Sequence, residues 1–249
     1  MREIEFIIKE NEPVTDTIYR LVLECGAGEY GITAPGQFIN IKIDGLFLRR
    51  PISICDWTET TVTVIYKVVG RGTELLKTYE PGRRLNALSA LGNGFAPARA
   101  GQRPLLIGGG VGVPPLYGLC RKLVEAGARP TVILGFNTEH DAFYIEEFRE
   151  LGAEVLVASA DGSIGQRGFV TDVVQSLSEP ATFFYTCGPE PMLRALDKAL
   201  PDGLEGQMSF EERMGCGFGA CMGCSCETKY GAKRICKDGP VLERSEIRW

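Results

Sequence analysis

The sequence predicts a multi-domain protein of three pieces. An antiparallel β-barrel is expected over residues 1–98, an α/β domain with a parallel sheet over 99–205, and a small cysteine-bearing domain over 206–249. Three observations predict this. Short alternating apolar segments separated by tight-turn dipeptides occupy the first part of the chain. From Arg103 the pattern changes to alternating strand and helix, with a glycine-rich first turn. Past Ser209, five of the nine cysteines crowd into the stretch from Cys216 to Cys236.

In the first piece, Thr17–Leu23, Phe38–Ile43 and Val62–Val68 alternate as half-buried strands do, and Pro35-Gly36, Asp44-Gly45 and Pro81-Gly82 punctuate them as turns. Several short antiparallel strands of this kind close into a barrel. Asn93-Gly94, Pro97 and Gly101 mark its end. Two segments inside it stand out. Arg50-Pro51-Ile52-Ser53 suits a strand start with a solvated edge. Gly70-Arg71-Gly72-Thr73 reads as a glycine turn, with Thr73 as the N-cap of a short helix whose free amides suit an anion. Each alone also fits a strand edge or a capped helix that binds nothing. Together they place a cation, a hydroxyl and a phosphate-ready helix end on one barrel, which suits a flavin dinucleotide.

In the second piece, Pro104–Ile107 reads as a buried strand and Gly108-Gly109-Gly110-Val111-Gly112 as the turn after it. A helix from Leu116 to Ala126 and a strand Thr131–Leu134 complete a βαβ unit of the Rossmann-like, dinucleotide-binding kind. Val113 stands where a third glycine would complete the usual fingerprint. Helices over 143–151 and 169–176 and strands over 155–158 and 182–185 follow, then Cys187-Gly188-Pro189 and a last helix to Ala199. After Thr131–Leu134 comes Asn137-Thr138-Glu139, with no arginine placed for a 2′-phosphate, so NAD is favoured over NADP. His140, the single histidine, reads as a surface residue.

Bulk properties exclude several classes. A hydrophobic fraction of 44% and a charged fraction of 24% are ordinary for a globular protein, and a net charge of −5 argues against a nucleic-acid surface. No apolar run reaches the ~18 residues of a membrane span. Met1-Arg2-Glu3-Ile4-Glu5-Phe6 lacks the apolar core of a signal peptide. With cysteines committed to a metal cluster, a reducing, cytoplasmic compartment is expected.

Cys216, Cys221 and Cys224 stand at C-x4-C-x2-C spacing, the plant-type ferredoxin spacing for a [2Fe–2S] cluster, with Cys236 downstream. Ferric ions bridged by sulfide favour thiolate donors. The glycines between these cysteines let the backbone curl around the cluster. Zinc ribbons usually pair two C-x2-C knuckles, and this stretch has one. Disulfides between such near neighbours would close strained loops. For the fourth ligand both Cys226 and Cys236 are candidates. Cys226 lies two residues past Cys224, where an extended backbone turns it the wrong way, so Cys236 is preferred.

Arg50-Pro51-Ile52-Ser53, Gly72-Thr73, the glycine turn and Cys187-Gly188-Pro189, in that order, resemble the ferredoxin-reductase family. The tail from Ser209 to Val241 is similar to that of the electron-transfer subunits of bacterial NAD-dependent dihydroorotate dehydrogenases. The resemblance implies an oxidoreductase component carrying FAD, a [2Fe–2S] cluster and NAD. FAD would lie against Arg50, Pro51, Ile52, Ser53, Ile65, Tyr66, Lys67, Gly72 and Thr73. NAD would meet Gly109, Gly110 and Gly112 with its pyrophosphate, and Cys187, Gly188 and Pro189 with its nicotinamide. Electrons would pass through the cluster to or from the FMN of a separate catalytic subunit, in a heterotetramer serving pyrimidine biosynthesis. No residue of this chain is assigned catalysis on dihydroorotate. Ser89-Ala90 departs from the Gly-Pro that many relatives carry before Leu91-Gly92-Asn93-Gly94. Corresponding subunits of sulfide dehydrogenases or ferredoxin–NADP oxidoreductases are the alternative within the class, and a zinc-stabilised binding protein is the alternative outside it.

Overall fold

The computed structural model describes all residues, 1–249. Six strands close into the expected barrel: β1 (Arg2–Pro13), β2 (Ile18–Glu24), β3 (Phe38–Ile41), β4 (Arg50–Trp57), β5 (Thr61–Lys67) and, after helix α1 (Arg71–Leu76), β6 (Arg84–Leu91). They are antiparallel and run around the barrel in the order β1-β2-β5-β4-β3-β6. Closure leaves no unpaired edge, and the inward side chains of alternating strands, among them Phe6, Leu21, Ile39 and Val64, fill the interior. Thr73 is not the N-cap of α1. Gly70, in extended conformation, caps a helix that begins at Arg71, so Thr73 falls in its first turn. The Thr73 hydroxyl accepts from the Val69 and Gly70 amides at 3.0 and 3.3 Å and donates to the Gly70 carbonyl at 3.1 Å. It reaches back to fold the turn onto itself.

The α/β part begins with β7 (Pro104–Gly109), α2 (Pro114–Glu125), β8 (Thr131–Phe136), α3 (Ile145–Glu150) and β9 (Glu154–Ser159). It continues through β10 (Gln166–Arg167), α4 (Val170–Ser176), β11 (Phe183–Cys187) and α5 (Glu190–Ala199). Helix α2 starts two residues ahead of the expected Leu116. Proline fits the first helical turn, where its missing N–H is not needed, so Pro114 and Pro115 lie inside the helix. Helix α3 starts two residues later than expected, because Tyr144 before it is left-handed, with φ of 64°.

This sheet reaches into the tail. Its order is β10-β9-β8-β7-β11 followed by β12 (Gly206–Ser209) and, beyond the hairpin β13 (Ser225–Thr228)–β14 (Gly231–Arg234), by β15 (Val241–Glu243). Strand β12 runs parallel to β11, and β15 antiparallel to β12. The expected boundary between residues 205 and 206 thus falls just before a strand of this sheet.

Two seams join the parts. Helix α2 lies on β4 so closely that a β-carbon on Gly118 would stand 2.8 Å from the Cys55 carbonyl oxygen. Arg121 on α2 bonds Asp56 on β4 through Nη2 at 2.6 Å and Nε at 3.1 Å. At the second seam, Asn93 after β6 clamps the tail. Its Nδ2 donates to the Val241 carbonyl at 2.7 Å, and its Oδ1 accepts from the Val241 amide at 3.1 Å. Phe38 and Leu91 on the outer barrel face share one apolar cluster with Cys224, Ile235, Cys236 and Leu242.

Candidate cofactor sites

The barrel segment Arg50–Ser53 forms the start of β4, paired with β3 so that Pro51 faces Asn40 and Ser53 faces Phe38. Residues Ile65, Tyr66 and Lys67 end β5, the strand on the other side of β4. The structure brings Arg50 onto the turn before α1. A β-carbon on Gly72 would lie 2.2 Å from Arg50 Nε, so any side chain there would push the guanidinium aside. Tyr66 is buried, and its hydroxyl donates to Asn11 Oδ1 at 3.0 Å. Burial pushes this phenol well above its ordinary range, so the phenol serves the barrel interior and any ligand contact falls to its main chain.

A cavity of about 550 Å³ opens where the barrel meets the ends of β7, β8 and β11. Of the residues expected at a nucleotide, Lys67, Gly109, Gly110, Gly112, Gly188 and Pro189 line it. This is the carboxyl edge of a parallel sheet, where such folds place ligands. Gly112 is required by packing, since a β-carbon there would meet the Cys187 carbonyl oxygen at 2.2 Å. Cys187 itself does not line the cavity. It is 1% exposed, and burial first, with the Glu211 charge next, pushes its thiol up to about 12. A neutral, enclosed thiol here packs rather than attacks. Glu211, just past β12, lines the cavity; it lies inside the tail from Ser209 to Val241 that carries the family resemblance, which gives it no site role of its own. Its side chain is exposed to the cavity, and the protein crowded around it raises its carboxyl above the ordinary range. His140 is exposed in the turn after β8, as expected of a surface residue.

The four expected cluster ligands come together as two pairs. In the first, the Cys216 amide lies 3.5 Å from the Cys221 sulfur, and the Ala220 and Cys221 amides donate to Cys216 Sγ at 3.2 and 3.4 Å. Burial would raise the Cys216 thiol, but hydrogen bonds from the Phe218 and Cys221 amides, the Cys221 thiol and the Ala220 amide outweigh it and bring the thiol down to about 6. In the second pair, Cys224 and Cys236 are both buried, and the Cys236 amide donates to Cys224 Sγ at 3.4 Å. Burial, then the Cys224 thiol, pushes Cys236 up to about 12. Two thiol pairs flanked by amide donors suit the thiolate-held irons of a [2Fe–2S] cluster. Cys226 stands apart on β13, opposite Lys233. Arg234, unremarked in the sequence, braces the loop by donating to the Gly219 carbonyl at 3.0 Å while holding Asp238 at 2.9 Å.

A barrel bearing a flavin-type motif, a nucleotide-binding sheet and a loop of paired thiols define a ferredoxin-reductase-like oxidoreductase with an appended iron–sulfur segment. Residues 211–248 match the iron-sulfur cluster binding domain of dihydroorotate dehydrogenase B, and residues 106–198 match the oxidoreductase NAD-binding domain. The chain belongs to the family of dihydroorotate dehydrogenase B (NAD(+)) electron transfer subunits. It is 43% identical to the member from Geobacillus sp. (strain WCH70), over 99% of each chain. It is 45% identical to the one from Shouchella clausii (strain KSM-K16), over 97% of this chain and 96% of that one. Among solved structures it is similar to NADH-dependent reduced ferredoxin-NADP oxidoreductase, with a TM-score of 0.88, 28% identity, and coverage of 98% of this chain and 90% of that one. The cytochrome b5 reductase domain of Ulva prolifera nitrate reductase shares the fold, with a TM-score of 0.70 at 18% identity over 84% of this chain and 97% of that domain. The full-length likeness at 43–45% identity favours the dihydroorotate type over the ferredoxin–NADP type at 28%.

Proposed function

We propose that this chain passes electrons between NAD(H), FAD and a [2Fe–2S] cluster, to or from the FMN of a dihydroorotate dehydrogenase catalytic subunit. The observation that carries the reading is the two thiol pairs, docked through Phe38 and Leu91 on the barrel that bears the Arg50–Ser53 motif. FAD supplies the exchange between two-electron hydride chemistry and one-electron transfer that such a relay needs. Residues 1–98 serve as the flavin part, 99–205 as the nucleotide part and 206–249 as the cluster part. Arg50, Ser53, Gly72 and Thr73 hold the flavin dinucleotide, with main-chain support from Pro51, Ile52 and the end of β5. Gly109, Gly110 and Gly112 let the nucleotide pyrophosphate approach the backbone, and Gly188 and Pro189 floor the nicotinamide end. Cys216, Cys221, Cys224 and Cys236 hold the cluster.

The partner reading rests on surface chemistry. Phe218 and Met222, in the cysteine loop, are 43% and 54% exposed where a solvent-facing loop would carry polar side chains. A catalytic subunit covering this loop would bring its FMN near the cluster, in a heterotetramer acting in the cytoplasm. No helix of the chain is long and apolar enough to cross a membrane. The purified chain should reduce artificial dyes with NADH, yet show no dihydroorotate-dependent turnover until an FMN-bearing subunit is added. Stoichiometric orotate formation by the isolated chain would overturn this proposal.

A further inference from the structure

Asn40 is an unusual residue for its place. It lies in the middle of β3 between Ile39 and Ile41, is 1% exposed, and pairs with Pro51 of the Arg50–Ser53 motif on one side and Leu88 on the other. Asparagine is depleted in strands, and a buried carboxamide needs partners for both of its ends. Asn40 Oδ1 has none. Its Nδ2 points out of the barrel to the Cys216 carbonyl oxygen at 3.5 Å, across 176 residues of sequence. A β-carbon on Gly217 would stand 2.3 Å from that same nitrogen, so the loop glycine is pressed onto the amide. An apolar residue would satisfy the strand without leaving an acceptor unmet. The polarity is therefore retained for what it faces, the backbone of the cysteine loop.

We propose that Asn40 is a positioning residue for the cluster: through its carboxamide, the strand beside the flavin motif fixes the Cys216–Gly217 peptide and so tunes the cluster's reduction potential. The inference rests on the reading of Cys216–Cys236 as a cluster site. A trans peptide points its C=O and N–H in opposite directions, so holding the Cys216 carbonyl toward Asn40 aims the Gly217 N–H away from the barrel. Gly217, at φ of 79° and without a β-carbon, would otherwise let that peptide turn at little cost. The loop already directs the Ala220 and Cys221 amides at Cys216 Sγ. Hydrogen bonds to cluster sulfurs are one of the levers by which proteins set iron–sulfur potentials, and what orients them acts through them. Amide donors favour the more negative, reduced cluster, so loosening the peptide lowers the potential.

The test uses the holoprotein with FAD and cluster in place, as parent, Asn40→Leu and Asn40→Asp. Both variants keep the approximate shape and remove the N–H donor. An EPR-monitored redox titration reads the cluster midpoint, the flavin spectrum reads FAD content, and thermal melting reads the barrel. Both variants should shift the one-electron equilibrium about fivefold away from the cluster, or ~40 mV to lower potential at 59 mV per decade. The Asp variant should shift at least as far as the Leu variant. Loss of cluster with FAD and melting temperature retained would equally support the role. An unchanged midpoint in both variants at full iron content would overturn it, as would joint loss of FAD and cluster in both, since Asn40 would then serve the barrel. A parent protein without a cluster spectrum would instead remove the functional reading beneath.

Discussion

The guanidinium of Arg50 rests against the bare α-carbon of Gly72, so close that a β-carbon there would lie 2.2 Å from Nε and 2.6 Å from Cζ. The Arg50 Nη1 also donates to the Leu48 carbonyl at 2.6 Å. Two segments that the sequence connects only by their order therefore form one surface. Gly72→Ala should displace the arginine without deleting it. A charged hydrogen bond contributes ~1.5–3 kcal/mol, so Arg50→Ala and Gly72→Ala should each weaken FAD retention roughly tenfold to a hundredfold in equilibrium titration of apoprotein. The double variant should be little worse than either single one, because both remove the same contact. Additive losses would show that Gly72 acts independently of Arg50.

Cys236, and not Cys226, should complete the cluster. Cys236 is buried beside Cys224 and within reach of the Cys216 charge, whereas Cys226 sits on β13, next to Glu212 and Lys233. Cys236→Ser should bleach most of the visible absorbance of the cluster while FAD remains. Cys226→Ala should leave iron content nearly intact. Iron and sulfide analysis of the two variants decides between the thiols, and the reverse pattern would reassign the ligand.

The strands of the α/β sheet were legible because β7, β8 and β11 are covered on both faces and read as apolar runs. The grouping of Cys216 with Cys221 was legible because their spacing is local. What the sequence hid is long-range. Strand β12, Gly206-Gln207-Met208-Ser209, is too short and polar to read as a buried strand. It is buried because Gln207 bonds Glu243 at 2.7 Å and the Ala96 amide at 2.9 Å, partners far away in the chain. The bounds of strand β1 are hard to read inside the expected barrel because a bulge between Ile8 and Glu10 shifts its alternation. Its polar half then turns Asn11 onto the Leu76 and Tyr79 carbonyls and the Tyr66 phenol. Asn40 and Arg234 escaped for the same reason: each acts on a loop backbone that only folding brings to it.

Gly112→Ala should uncouple the nucleotide from the flavin. Its β-carbon would meet main-chain atoms, the Cys187 carbonyl oxygen at 2.2 Å and the Gly188 nitrogen at 2.6 Å, which no rotamer change can relieve. The turn after β7 must then move away from the end of β11, and the two walls of the cavity part. Misplacement of ~1 Å costs hydride-type reactions on the order of a hundredfold. The kcat/KM for NADH-driven dye reduction should fall by about that factor, while cluster content and FAD, held by other segments, stay at parental levels. A fall in FAD content matching the fall in rate would place the damage in the barrel instead.

Glu211 should make both stability and nucleotide binding depend on pH. The protein crowded around it raises its carboxyl above the ordinary range, so the folded state holds the proton more tightly than the unfolded chain does. Its contribution to stability is therefore fully present below the unfolded pKa of about 4.3 and is lost as pH rises through the folded one. At neutral pH the charged carboxylate is a burden on the fold, and Glu211→Gln, which cannot ionise, removes it. With the nucleotide absent, the variant should melt above the parent at pH 7 and together with it near pH 4. A nucleotide filling the cavity takes further water from Glu211 and raises its pKa again. Binding of NAD⁺ should then take up protons and weaken as pH rises across that interval, and Glu211→Gln should flatten the trend. Melting-temperature differences across pH, with calorimetric proton uptake on NAD⁺ binding, check both halves. A variant whose stability offset is the same at pH 4 and pH 7 would show that Glu211 stays solvated at the cavity mouth.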